Sequence, residues 1–224
     1  MTSTASANRP TVPLLMLLGG LFLFSIQDVL IADLTKRYPV HEIVFVRSLV
    51  NIWPLILLSF AFDQGKNMQI TKFWQLFLRG GLLSLSYTAY YLALAGLDFA
   101  QATSLYFTAP LFITFLSWVT TRVPIGWRRL TGVIIGLVGV VFIVKPGVGE
   151  IPLLPALMAV ASAFFYALSA RMTNWLGRTE STTVQSVTFV IMTLLSGALF
   201  WAIFGEGWAV DHAPEGLEVL LKAW

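Results

Sequence analysis

The chain has no cysteine, two histidines and few charges: of 224 residues, 11% are Asp, Glu, Lys or Arg. The missing cysteine excludes disulfides and thiolate metal sites and leaves the redox compartment open. His41 and His212 stand far apart, and neither has a partner at metal-ligand spacing. No phosphate loop, nucleophile elbow or paired-carboxylate motif occurs, so enzyme chemistry is not expected, nor a cofactor or metal. Soluble domains carry about 25% charged residues. The low charge here, with 57% hydrophobic residues and a mean hydropathy of +0.80, marks an integral membrane protein.

Long apolar runs fill the space the charges leave. Crossing about 30 Å of hydrocarbon takes roughly 20 helical residues, and the chain offers seven such runs. They are expected as helices over Leu14–Leu34, Ile43–Phe62, Phe73–Leu97, Ala100–Thr121, Leu130–Val144, Leu153–Ala170 and Val184–Phe204. The first run follows Arg9 as a signal peptide would, but no small-residue cleavage site follows it, so it reads as a retained helix. Residues 1–13 read as a disordered tail, 171–183 as a loop, and the segment after Phe204 as acidic (Glu206, Asp211, Glu215, Glu218) and too short for another span. The fold class is therefore an all-α polytopic membrane bundle.

The net charge of +3 does not point to nucleic acid, because the basic residues sit in short loops between apolar runs. They set topology instead. With the N-terminus in the cytoplasm, Arg9, Lys66, Lys72, Arg79, Arg122, Arg128, Arg129, Arg171 and Arg178 fall on the inner side. Lys36, Arg37, Arg47, Lys145 and Lys222 fall on the outer side, so nine of 14 basic residues obey the positive-inside rule. Trp118, Trp127, Trp201 and Trp208 lie near helix ends and read as interfacial anchors. Leu14-Leu15 and Leu153-Leu154 each open a similar run, which suggests an inverted repeat with 14–147 as a first five-helix unit and 151–224 as part of a second.

Within the spans, Asp28 near the end of the first helix and Arg47 near the start of the second come to similar depth on antiparallel neighbours. Buried ions are costly and usually face a bundle interior, so the two could pair, or bind and couple a permeating solute. Alternatively Arg47 snorkels to headgroups and Asp28 caps a helix end. Ser84, Tyr87 and Tyr91 form one polar-aromatic stripe, either a cavity wall or a packed seam. Gln101, Ser104 and Thr108 share a face, and Pro110 should kink that helix by freeing the carbonyl of Tyr106. Gly132, Gly136 and Gly139 form a groove for close helix packing, in this chain or in a homodimer.

Several pieces in order, Asp28, Phe45-Val46-Arg47-Ser48-Leu49, Leu78-Arg79-Gly80, Thr108-Ala109-Pro110-Leu111, Gly126-Trp127-Arg128-Arg129 and Val144-Lys145-Pro146-Gly147, resemble the EamA-type members of the drug/metabolite transporter superfamily. The chain departs from that pattern at Val123, where a Glu is common, at Ala32, where a Lys often stands, and in carrying two helices of the second repeat. The resemblance implies a ten-helix plan and a secondary transporter of small organic metabolites in the bacterial inner membrane. Alternating access and proton-coupled export are the most frequent mode. The partners it implies are a small-molecule metabolite and the lipid bilayer. The alternative is a half-size membrane component without transport of its own.

Overall fold

The computed structural model describes residues 11–35, 37–58, 70–121, 126–144 and 152–204, and every regular element among them is an α-helix. In order these are α1 (Thr11–Leu34), α2 (Val40–Leu58), α3 (Phe73–Gly96), α4 (Phe99–Tyr106), α5 (Ala109–Thr121), α6 (Trp127–Val144), α7 (Leu153–Leu176) and α8 (Thr182–Phe204). Residues 11–13, expected in the tail, open α1; residues 1–10, 59–69 (the end of the second expected helix and part of the loop after it), 122–125, 145–151 and the acidic segment after Phe204 lie outside the described residues.

Where they are described, all seven expected runs are helical, with two corrections. The fourth is two helices. Its break falls at Phe107–Thr108, just ahead of Pro110, whose ring is incompatible with a continuous turn and whose missing N–H leaves the Tyr106 carbonyl unpaired by the helix. Locally, Thr108 Oγ1 donates to the Leu105 carbonyl at 2.8 Å and the Phe107 N–H to that of Thr103 at 3.0 Å, which closes α4 before α5 starts. The sixth run does not stop at Ala170 but continues to Leu176. Its extra turns are held by tertiary contacts, since Leu176 is fully buried against Leu76 and Val184 and Thr173 binds Arg79.

Among the described residues, four stretches qualify by length and apolarity alone to cross a membrane: Leu14–Leu34, Phe99–Thr120, Leu153–Leu176 and Thr182–Phe200. α3 is just as long, at 24 residues, but carries arginine, serines and tyrosines. Those polar groups face inward. α1 is the opposite case: Met16, Phe22 and Leu23 are each at least two-thirds exposed, the surface of a helix that meets lipid.

α3 is the hub, packed against both α7 and α8. Hydrophobic attraction cannot drive helices together inside lipid, so small residues and hydrogen bonds must do so. Gly80 lies against α8, where an added Cβ would stand 2.9 Å from Met192 Cγ and 3.2 Å from the Thr188 carbonyl. Gly96 lies against the Pro155 ring of α7, closer than any Cβ could tolerate. Ser84 and Ser196 share a hydrogen bond at 2.7 Å, and Ser86 donates to the Ser162 carbonyl at 2.9 Å. Gly197 of α8 meets the backbone of Phe45 on α2 in the same way.

Two buried charges lock one end of this seam. Arg79, 8% exposed, donates from Nε to Thr173 Oγ1 and from Nη1 to the Gln185 carbonyl, both at 2.7 Å. Glu180, 4% exposed in the α7–α8 turn, accepts from the backbone N–H groups of Thr71 at 3.0 Å and Lys72 at 2.9 Å, and from the Thr71 hydroxyl. A carboxylate there satisfies donors at the start of α3 and opposes its positive dipole end.

The expected packing groove on α6 is not filled by any described helix of this chain: Gly132, Gly136 and Gly139 are exposed, and an added Cβ would meet nothing within 4 Å. Gly96→Ala should therefore lower stability by about 1–3 kcal/mol through overpacking, while Gly136→Ala, in open space, should be neutral or stabilising by up to about 1 kcal/mol. Thermal unfolding in detergent checks the contrast. Glu180→Ala, which strips two backbone donors and a hydroxyl of a charged acceptor, should cost about 2–3 kcal/mol in the same assay.

Candidate functional site

The site grows out of the first turns of α2. Val40, Ile43 and Val44 are buried in a core shared with Ile31 of α1 and Leu92, Ala93 and Leu94 of α3. Arg47 follows Ile43 by four residues and so projects from the same face, towards α3. Its guanidinium donates through Nη1 to the Tyr91 hydroxyl, with its central carbon 4.7 Å from the Tyr87 ring centre and 5.6 Å from that of Tyr91. A desolvated cation over aromatic faces is worth about 2 kcal/mol.

Tyr87 and Tyr91 begin a longer aromatic chain. Tyr87 packs against Phe189 of α8 with ring centres 5.5 Å apart, and against Tyr91 at 6.2 Å. Tyr91 neighbours Tyr90 at 6.3 Å, Tyr90 neighbours Tyr106 of α4 at 5.2 Å, and Tyr106 neighbours Tyr166 of α7 at 5.7 Å. The Tyr90 hydroxyl also shares a hydrogen bond with Thr103 Oγ1 at 3.0 Å. Five of the chain's six tyrosines thus sit in one cluster that draws on α3, α4 and α7.

Asp28, half-buried on α1, stands within electrostatic reach of Arg47, Tyr87, Tyr90, Tyr91 and Tyr106. It makes no ion pair with Arg47. The described ion pair nearby joins Arg37 and Asp33 at 3.2 Å; both side chains are mostly exposed, and such a pair contributes about 0–1 kcal/mol. Two donors beside Asp28 and within the cluster are buried without a hydrogen-bond partner, Gln27 Nε2 and Arg47 Nε. Both residues also line a cavity of about 540 Å³ between α1 and α2, whose wall is mostly apolar (Leu30, Val46 and Val50 among others) but also includes Glu42, Asn51 and Tyr38.

The remaining expected residues are placed differently. Gln101 accepts from the Asp98 backbone N–H at 3.4 Å, half of a capping box that starts α4. Ser104 donates to the Ala100 carbonyl at 2.6 Å and Thr108 to that of Leu105, so both hydroxyls serve their own helix. Pro110 is exposed beside the break it causes. Tyr106, Tyr166 and Phe189 join the cluster although no local pattern singled them out; the one signal available was tyrosine itself, scarce elsewhere in the chain.

Comparison with known proteins agrees with this architecture. The profile of the EamA-like transporter family matches residues 11–145. The chain is 30% identical over 133 residues to an S-adenosylmethionine uptake transporter of Rickettsia felis, covering 57% of this chain and 45% of that protein. It is 27% identical over 164 residues to the uncharacterized transporter YvbV of Bacillus subtilis, covering 71% and 52%. With the pseudopaline exporter CntI of Pseudomonas aeruginosa it shares 26% identity over 188 residues, covering 82% and 64%. The chain spans about half the length of these curated relatives, and they are transporters rather than enzymes. No solved structure matches. With more than half its length matched, this multi-pass membrane chain belongs to the EamA-like transporter family.

Proposed function

We infer that the protein moves small organic metabolites across the bacterial inner membrane by alternating access, with the N-terminus cytoplasmic and export as the direction. The carrying observation is a half-buried arginine held in an aromatic chain to which both halves contribute, Tyr87, Tyr90, Tyr91 and Tyr106 from the first and Tyr166 and Phe189 from the second. Such a cluster changes shape if the halves tilt relative to one another, which is what access from alternate sides requires. In this reading Arg47 receives an anionic group of the substrate, such as a carboxylate, because its unpaired Nε and that of Gln27 Nε2 cost about 1–3 kcal/mol each until an acceptor arrives. Asp28, close by and outside any ion pair, carries the coupling proton. Export is the activity in the name of the relative aligned over 188 residues, and nine of 14 basic residues support the orientation.

Counterflow of a metabolite panel into proteoliposomes tests this. Arg47→Ala should lower the rate at least ~10-fold, the effect of losing a charge-assisted hydrogen bond worth about 1.5–3 kcal/mol, while Arg47→Lys retains part of it. Asp28→Asn should keep counterflow and abolish acceleration by a proton gradient. Unchanged counterflow in Arg47→Ala, or undiminished acceleration by a proton gradient in Asp28→Asn, would sink the reading.

A further inference from the structure

At the end of the bundle that holds Glu180, a second cavity of about 450 Å³ opens between α5 and α7. Thr120 lines it from α5, Arg171, Asn174 and Trp175 from α7, and Arg178 from the turn that follows. Arg171 and Asn174 lie one turn apart on a single face. Gly177, with helical dihedrals of −60° and −8°, carries the backbone on so that Arg178 falls one further turn along. Trp175 also bears the Lys72 ammonium 4.0 Å above its ring, which adds a third cation at the rim.

Among the described residues, nothing compensates Arg171 and Arg178. The described carboxylates are Asp28, Asp33, Glu42, Asp98 and Glu180, and the first four belong to the site or to the opposite end. Glu180, the one acid at this end among the described residues, is turned inward onto Thr71 and Lys72 backbone N–H groups. Neither Arg171 nor Arg178 has a hydrogen bond or ion pair among the described residues. Arg79, at the same end, shows the contrast, since both its bonds go to Thr173 and Gln185. Two free guanidinium forks, an amide and a hydroxyl around one cleft suit an anion with several acceptor oxygens. Trp118, half-exposed two residues before Thr120, sits where an aromatic anchor meets the headgroup layer.

We propose that the cleft formed by Thr120, Arg171, Asn174 and Arg178 binds a phosphate-bearing anion, the headgroup of an anionic phospholipid or a soluble phosphate. Binding there joins the end of α5 to the end of α7 and neutralises the cluster. The site is separate from Arg47 and does not depend on the transport reading.

Native mass spectrometry and thermal unfolding of the purified protein, titrated with phosphatidylglycerol, phosphatidylcholine or inorganic phosphate, test it. Phosphatidylglycerol should leave a bound adduct and raise the unfolding temperature. The Arg171→Gln/Arg178→Gln double variant should weaken that binding at least tenfold, and Arg171→Lys/Arg178→Lys should restore part of it. Arg37→Gln, at the other end, should leave it unchanged. If inorganic phosphate gives the shift with the same sensitivity to the variants, the soluble source is the ligand and the site stands. Binding of phosphatidylcholine equal to phosphatidylglycerol, loss equal in Arg37→Gln, or no response of the double variant to any of these ligands different from the parent's would overturn it.

Discussion

In hydrocarbon there is no water to satisfy a polar group, and that constraint organises this protein through one helix. α3 carries Arg79, Ser84, Ser86 and four closely spaced hydroxyl residues from Tyr87 to Tyr91, too many to face lipid. They must be covered, and α7 and α8 cover them. Arg79 takes Thr173 and Gln185, Ser84 takes Ser196, and Ser86 takes Ser162. Glycines at 80 and 96 allow the approach close enough for those bonds to form. The least apolar of the long helices is thereby the one on which α7 and α8 pack.

The aromatic cluster is the continuation of that seam. One turn beyond Ser84, the same helix presents Tyr87 and then Tyr91, and the seam opens from serine-sized contacts into aromatic ones. Arg47 enters from α2, itself tied to α8 where Gly197 meets Phe45. Closure by Arg79 and Glu180 at one end and an arginine among tyrosines nearer the other give the bundle a tight end and a polar interior.

Much of this was legible in the sequence, and the reasons differ by level. Apolar runs place the helices, except that the fourth run holds two, because membrane thickness sets the length of a run. Proline at 110 announced a break, but the break's position and the extension of α7 past Ala170 depend on tertiary partners, Thr173 for Arg79 and Leu176 for Leu76, which no local pattern reveals. Arg47, Tyr87 and Tyr91 stood out because charge and hydroxyl spacing are local properties. Tyr106, Tyr166 and Phe189 did not, since they come together only when α4, α7 and α8 pack on α3. The glycine stripe of α6 shows the converse: spacing that suits close packing, on a face where no described helix of this chain lies.

The account stands on α3 being fastened to α7 through their serines. Ser86 and Ser162 hydroxyls lie 3.3 Å apart, and the chain has no native cysteine to confuse a cross-link. Oxidising the Ser86→Cys/Ser162→Cys double variant in membranes with a lipid-permeable oxidant should yield an internal disulfide, seen as one linked peptide in a non-reduced digest by mass spectrometry. Two thiols that stay separate and alkylatable under the same oxidant would contradict it.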